Sequence, residues 1–223
     1  MRQLKTAFTK AGKPDFNLFS QQDVPEILEV ILEELSTDSV FLGHLFQMSL
    51  QVSVTCNTCL ETQVNEESMQ ILQLPLMSSV QKGLDCYLQS EDLCGENAYF
   101  CHNCNSSRPA LLERQFRTCG QYLIIQLKRF SANNGSITKN NLLVNCHPDP
   151  LFVPIVSDIE VAFKKEFQLK AVINHSGTLN NGHYTSLAKV NSNWFLYNDR
   201  TVSEADDSDL NSSMSYVFIF EKQ

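Results

Sequence analysis

A chain of 223 residues with 43% apolar and 19% charged side chains has the material for a sizeable core, as one large domain or two small ones. Its formal charge of −8, with no Lys/Arg block, excludes a nucleic-acid backbone as the main partner and suits a basic protein or peptide better. The opening MRQLKTAFTKAGKPDF lacks the apolar segment of a secretory signal, and no apolar run approaches about 18 residues, so we expect an intracellular protein, cytoplasmic or nuclear, without a membrane span.

After a polar opening, Asp23-Val24-Pro25-Glu26 begins the clearest helix of the chain. Val24, Ile27, Leu28, Ile31, Leu32 and Leu35 recur at spacings of three and four and paint one face. Asp23 is placed to cap it, with Glu26 three residues on and Pro25 in the first turn, where an N–H has no intrahelical use. From Phe41 the pattern turns to strands. Residues 45–55 alternate, with Phe46, Met48, Leu50, Val52 and Val54 on one face, and lead into Cys56-Asn57-Thr58-Cys59. A second pair, Cys101-His102-Asn103-Cys104, follows after 41 intervening residues.

In a reducing compartment paired cysteines bind metal more readily than each other. Each Cys-x-x-Cys turn sets two thiolates on one side of a tight knuckle, and two knuckles supply the four soft ligands of tetrahedral Zn²⁺. Such a site leaves no open coordination position, so the zinc is expected to be structural. His102 is an alternative ligand, but its position inside the second knuckle suits a bystander. Cys86, Cys94, Cys119 and Cys146 remain as small buried or surface residues.

Between the knuckles, residues 72–76 form an edge strand stopped by Pro75 and residues 79–90 a short helix. Residues 121–130 make a strand too apolar for an exposed face, which we place at the sheet centre. A polar hairpin or loop at 132–139, a turn-rich link at 148–154 and a strand at 167–173 follow. An acidic solvated loop at 205–211 and a last strand at 216–221 close the chain.

The stretch 174–203 carries the chemistry. His183 lies between Gly182 and Tyr184 on an apparent strand, and an imidazole, with an ordinary pKa of about 6.5, suits proton transfer near neutral pH. Gly182 is expected to leave the backbone uncrowded for a passing peptide. If 183–190 and 193–198 are antiparallel strands joined by a turn at Asn191-Ser192, then Asn198 or Asp199 comes beside His183. A side-chain oxygen there accepts the imidazole N–H and fixes the tautomer, the orienter of a nucleophile, base and orienter set. The nucleophile itself is not evident.

Several segments, in this order, resemble the catalytic domain of the ubiquitin-specific proteases, papain-like cysteine peptidases that cut after the C-terminal glycine of ubiquitin. They are Gln21-Gln22-Asp23 before an acidic-apolar helix, the two knuckles, Leu127-Lys128-Arg129-Phe130, His175-Ser176-Gly177, Gly182-His183-Tyr184, and Trp194 followed by Tyr197-Asn198-Asp199. The resemblance implies an α+β fold with an antiparallel palm sheet, zinc-ribbon fingers and an incomplete helical thumb. It divides the chain into a thumb remnant (1–45), fingers (46–125) and a palm with the histidine (126–223). It implies His183 as general base, Asn198 as its orienter and Asp199 as a substitute or an oxyanion helper. It sets Gln22, Asp23, His175, Gly182 and Tyr184 along the cleft for the ubiquitin tail, and Cys56, Cys59, Cys101 and Cys104 on structural zinc. The implied partner is ubiquitin or a ubiquitinated protein.

The chain also departs from the family pattern. The nucleophilic cysteine of the family lies in an Asn-x-Gly-Asn-x-Cys-like box well before Gln-Gln-Asp, and here Met1 stands only about twenty residues before Gln21. The expectation is therefore a chain without the nucleophile, inactive by itself, with a second chain supplying the missing thumb. A non-catalytic ubiquitin-binding or scaffold module is the alternative. Val24-Pro25-Glu26-Ile27 replaces the usual Ala-His-Glu-Phe.

Overall fold

The structure is a computed structural model that describes residues 22–133, 135–145, 150–156, 162–179 and 181–223. Helix α1 (Val24–Asp38) is the periodic stripe the spacing predicts. Its Leu32 is buried against Ile124, Tyr216 and Val217, with Val24 and Leu28 packed alongside. Helix α2 (Val40–Phe46) stands where the alternation predicts the start of a strand. Phe46 is spent on a stack against Tyr122 at 5.4 Å rather than on a strand face.

Strands β1 (Met48–Cys56), β2 (Thr62–Met69) and β3 (Ile71–Pro75) follow, then helix α3 (Val80–Leu88), which Ser79 caps by accepting from the Lys82 N–H. After α3 come β4 (Glu91–Leu93), β5 (Tyr99–Cys101), β6 (Ser106–Arg108), β7 (Ala110–Cys119), β8 (Tyr122–Lys128), β9 (Phe130–Asn133) and β10 (Ser136–Lys139). The last six are β11 (Leu151–Val156), β12 (Ala162–Gly177), β13 (Gly182–Val190), β14 (Asn193–Asn198), β15 (Thr201–Ala205) and β16 (Ser215–Lys222). Strands β9 and β10 form the hairpin expected at 132–139.

Among the described residues twelve strands make one sheet, in the order β15-β14-β13-β12-β11-β7-β1-β2, with β16 joining β12 to β8, β3 beyond β8, and β4 beside β7. Most pairs are antiparallel. The pairs β3–β8 and β7–β11 run parallel, so the curled sheet is mixed. Strand β8 lies between β3 and β16, and both its faces are covered: Leu123, Ile125 and Leu127 join one core cluster and Ile124 the other. That double burial explains its near-continuous apolar run.

The stretch 148–154 is not a turn-rich link where it is described. Leu151, Val153 and Ile155 are buried at alternate positions of β11, a period that the surrounding prolines mask in the sequence. Residues 146–149 lie outside the described set. The strand expected at 167–173 runs longer, and the acidic loop at 205–211 contains a short 3₁₀ turn that buries Leu210.

Candidate active site and cysteine cluster

Strands β13 and β14 meet through Asn191 and Ser192, both in the left-handed region with φ of 48° and 77°. A two-residue turn of this kind matches the twist of an antiparallel pair. It sets Ser186 opposite Tyr197, which carries Asn198 to the level of Thr185 and within reach of His183. His183 Nε2 lies 2.7 Å from Asn198 Oδ1. The amide oxygen can only accept, so Nε2 carries a proton, and in the neutral ring Nδ1 holds the lone pair. Both side chains are exposed, which leaves that lone pair open to a reacting group. Asp199 occupies the β14–β15 turn with a φ of 52° and borders, with Asn198, Arg200 and Thr201, an open depression of about 800 Å³. Among the described residues no hydrogen bond joins Asp199 to His183.

Asp23 does not cap α1 with its side chain. Its carboxylate accepts from the Tyr184 hydroxyl at 2.9 Å and the Tyr216 hydroxyl at 3.0 Å, which pins the start of the helix to β13 and β16. Gln126 donates to the Tyr216 oxygen at 2.9 Å and extends this network. Burial, and then the Asp23 charge, push both phenols well above the ordinary tyrosine range. Gln22, half-buried, immediately precedes this latch.

His175 is buried and does not line an open cleft. A Cβ built on Gly182 would lie 2.1 Å from His175 Nε2 and 2.5 Å from the Ser176 carbonyl oxygen. The room that Gly182 makes is filled by the protein's own imidazole and is not left for a passing peptide. Lys139, which contacts His175, and Tyr216, which shares Asp23, carried no local signal in the sequence, because their partners are remote in the chain.

At the far end of β1 and β7 the two knuckles come together. The sulfurs of Cys56, Cys59, Cys101 and Cys104 all lie within 4.8 Å of one another, with Cys59 and Cys101 at 3.5 Å. A tetrahedron with metal–sulfur bonds of about 2.3 Å has edges of about 3.8 Å, so the cluster could hold a metal ion with little adjustment. The four sulfurs differ in proton affinity: the Glu61 backbone N–H draws the Cys59 thiol down to about 6, whereas the neighbouring Cys59 sulfur pushes Cys104 up to about 12. A cation removes that conflict by taking all four as thiolates. His102 packs its ring edge-on to Phe100 at 5.6 Å and contributes no atom to the cluster.

None of the described cysteines is hydrogen-bonded to His183. Cys86 and Cys94 are exposed, and burial pushes the Cys119 thiol up to about 12, which opposes a nucleophilic role. Cys146 lies outside the described residues.

A curled mixed sheet that presents an exposed histidine–asparagine pair on adjacent strands, with a four-cysteine cluster on a strand extension, defines a papain-like hydrolase fold. The chain belongs to the ubiquitin carboxyl-terminal hydrolase family, whose sequence model matches residues 2–220. Ubiquitin carboxyl-terminal hydrolase 21 of Homo sapiens is 29% identical over 187 residues, covering 79% of this chain and 33% of that protein. Probable ubiquitin carboxyl-terminal hydrolase 8 of Schizosaccharomyces pombe is 26% identical over 219 residues, covering 92% of this chain and 46% of that protein. The chain thus spans less than half the length of these relatives. The solved SAGA Ubp8/Sgf11/Sus1/Sgf73 DUB module bound to ubiquitin aldehyde contains a chain that superposes with a TM-score of 0.83 at 22% identity, over 99% of this chain and 53% of that one. At that identity the likeness shows the shared fold. Among the described residues no helix is long and apolar enough to cross a membrane.

Proposed function

We propose that this chain recognises ubiquitin and carries the proton-handling half of a cysteine-type hydrolase that cuts after the C-terminal glycine of ubiquitin. The observation that carries the reading is the 2.7 Å contact between His183 Nε2 and Asn198 Oδ1, which leaves Nδ1 as the base. Asp199, the next residue along the β14–β15 turn, is proposed as a substitute for Asn198 or a helper at the oxyanion. Gln22, Asp23, Gly182 and Tyr184 border the path of the ubiquitin tail, with His175 beneath them. Two solved neighbours, bound to ubiquitin aldehyde and to monoubiquitin, support ubiquitin as the ligand.

The chemistry needs a thiol at His183, and no described cysteine supplies one. We therefore infer that these 223 residues bind ubiquitin without cleaving it, because a coupled set that lacks its nucleophile forfeits nearly all of its rate enhancement. Val40 and Phe41 of α2, 72% and 71% exposed, offer an apolar face to a second polypeptide that would complete the thumb. The resident metal is zinc, held by Cys56, Cys59, Cys101 and Cys104. With four thiolates it ties the two knuckles together within the fingers (46–125), beside the palm (126–223), while residues up to 45 form the thumb. A cytoplasmic or nuclear location suits reduced cysteines.

Two measurements test this. Incubation of the purified chain with a ubiquitin C-terminal fluorogenic substrate is expected to give no turnover, and robust turnover would overturn the non-cleaving reading. Titration with monoubiquitin is expected to give heat and chemical-shift changes, and their absence at high ubiquitin concentration would overturn recognition.

A further inference from the structure

We propose that His175, clamped by Lys139, is a positioning residue that fixes the backbone on either side of His183 and so holds the base in one orientation. The inference rests on the reading of His183 as base and adds a second histidine to that site, one that holds still while the first moves protons.

His175 faces Tyr184 across the β12–β13 pair, and Ser176 faces His183. Strand alternation therefore puts the His175 ring on the opposite face of the sheet from His183, where it acts through the backbone and not by touching the base. The His175 and Tyr184 rings lie 4.6 Å apart, and the Nε2 side of the ring fills the place that a side chain on Gly182 would take, 2.1 Å from its Cβ. The two residues that flank His183 are thus pressed against a single buried ring. Phe130 and Tyr216, at 5.9 Å and 6.0 Å, close it in from the other side.

Lys139 holds the ring in place. Its Nζ lies 3.3 Å from His175 Nδ1 and also donates to the His175 carbonyl oxygen. An ammonium has only protons to offer, so Nδ1 accepts and the His175 proton sits on Nε2, toward Gly182. Burial lowers the proton affinity of His175, and Lys139 lowers it further against the weaker pull of Asp23. Lys139 is itself drawn down, by burial and by Arg129, and Tyr184 and Tyr216 keep their protons well into alkaline solution. The arrangement keeps His175 uncharged near neutral pH and the strand beneath His183 in one shape.

The test is imidazole ¹H–¹⁵N long-range correlation spectroscopy on the full chain labelled at histidine, followed through a pH titration. In the unaltered protein His175 is expected to show a single Nε2–H tautomer that does not move across the neutral range, and His183 a single Nε2–H tautomer. His175→Ala is expected to abolish the single-tautomer signature of His183, and His175→Phe, which keeps the flat ring, to restore it. A residue that merely filled space would lower the melting temperature on truncation without moving that signature. Lys139→Met is expected to let His175 titrate and to split the His183 signal. If His175→Ala fails to fold, the Lys139→Met and His175→Phe spectra decide alone. A His183 signature unchanged by Lys139→Met, or lost in His175→Phe, would overturn the proposal. Asn198→Ala separates the two readings: persistence of the His183 signature in that variant would overturn the base–orienter pair itself, whatever the His175 variants do.

Discussion

Asp23 gives both carboxylate oxygens to phenols, and this has a measurable consequence at alkaline pH. Tyr184 and Tyr216 have folded-state pKa values raised above the ordinary value of about 10, first by burial and then by the Asp23 charge. As pH rises past that value the unfolded chain releases these protons while the folded chain keeps them. Their contribution to stability is therefore full below about pH 10 and is lost as pH climbs toward the folded values. Asp23→Asn removes the charge and leaves a weaker acceptor, so near neutral pH it should cost about 2 kcal/mol, in the range of hydrogen bonds to charged groups. It should also bring phenol ionisation closer to the ordinary range and flatten the alkaline loss relative to the unaltered protein. Urea unfolding at stepped pH, with phenolate absorbance followed in parallel, measures both effects. An alkaline stability loss identical in the two proteins would remove Asp23 from this role. The sequence suggested Asp23 as a helix cap because local spacing is all that a cap needs. Its actual partners lie 161 and 193 residues away, and no periodicity points to them. Asn198 was legible for the opposite reason: a two-residue turn and a register step fix its distance from His183.

Elements whose pattern is local were the legible ones. The knuckles announce themselves because each needs only its Cys-x-x-Cys spacing and a following residue able to turn, here Leu60 and Asn105, both left-handed with φ of 62° and 49°. Helix α1 shows its period of three and four, and the β13–β14 turn carries its asparagine. Strand β11 and helix α2 were not legible, since prolines interrupt the alternation of the first and Phe46 mimics a strand position in the second. The same locality predicts what metal removal does. Among the described residues, strands β5 and β6 pair only with each other, in a two-stranded sheet apart from the main one, and such a hairpin is marginal without support. With zinc bound, the cluster anchors that hairpin to the end of β1. A chelator should therefore abolish amide protection across residues 56–61 and 99–108 while β8 and β16 keep theirs, because their core clusters contain none of the four cysteines. Hydrogen exchange read by mass spectrometry gives both halves of this result. Full protection at β5–β6 after complete chelation would show that the hairpin stands without metal.

At the scale of the whole molecule the chain is closed by its last strand. β16 lies between β8 and β12, which belong to distant parts of the sequence, and it fills the space between the helix-side and opposite cores with Tyr216, Val217, Phe218 and Phe220. It also serves the buried Arg129. That guanidinium donates to the Ser215 carbonyl at 2.6 Å and to the Asn140 and Leu142 carbonyls at 3.0 Å each, so losing β16 would strip an acceptor from a buried charge. Pairings this remote cost much loop-closure entropy, so folding is expected to be slow and to depend on the C-terminal segment. A graded series tests the point. Phe218→Ala should cost about 3–5 kcal/mol, the range for emptying a well-packed aromatic site, and should shift the urea midpoint without changing the slope. A chain ending at Met214 should show no cooperative unfolding transition, because β8 and β12 would each lose a partner strand and α1 would lose the phenol of Tyr216. If the shortened chain still unfolded in one sharp transition, the two cores would have to be united by contacts other than β16, and the account of β16 as the element that unites them would fall.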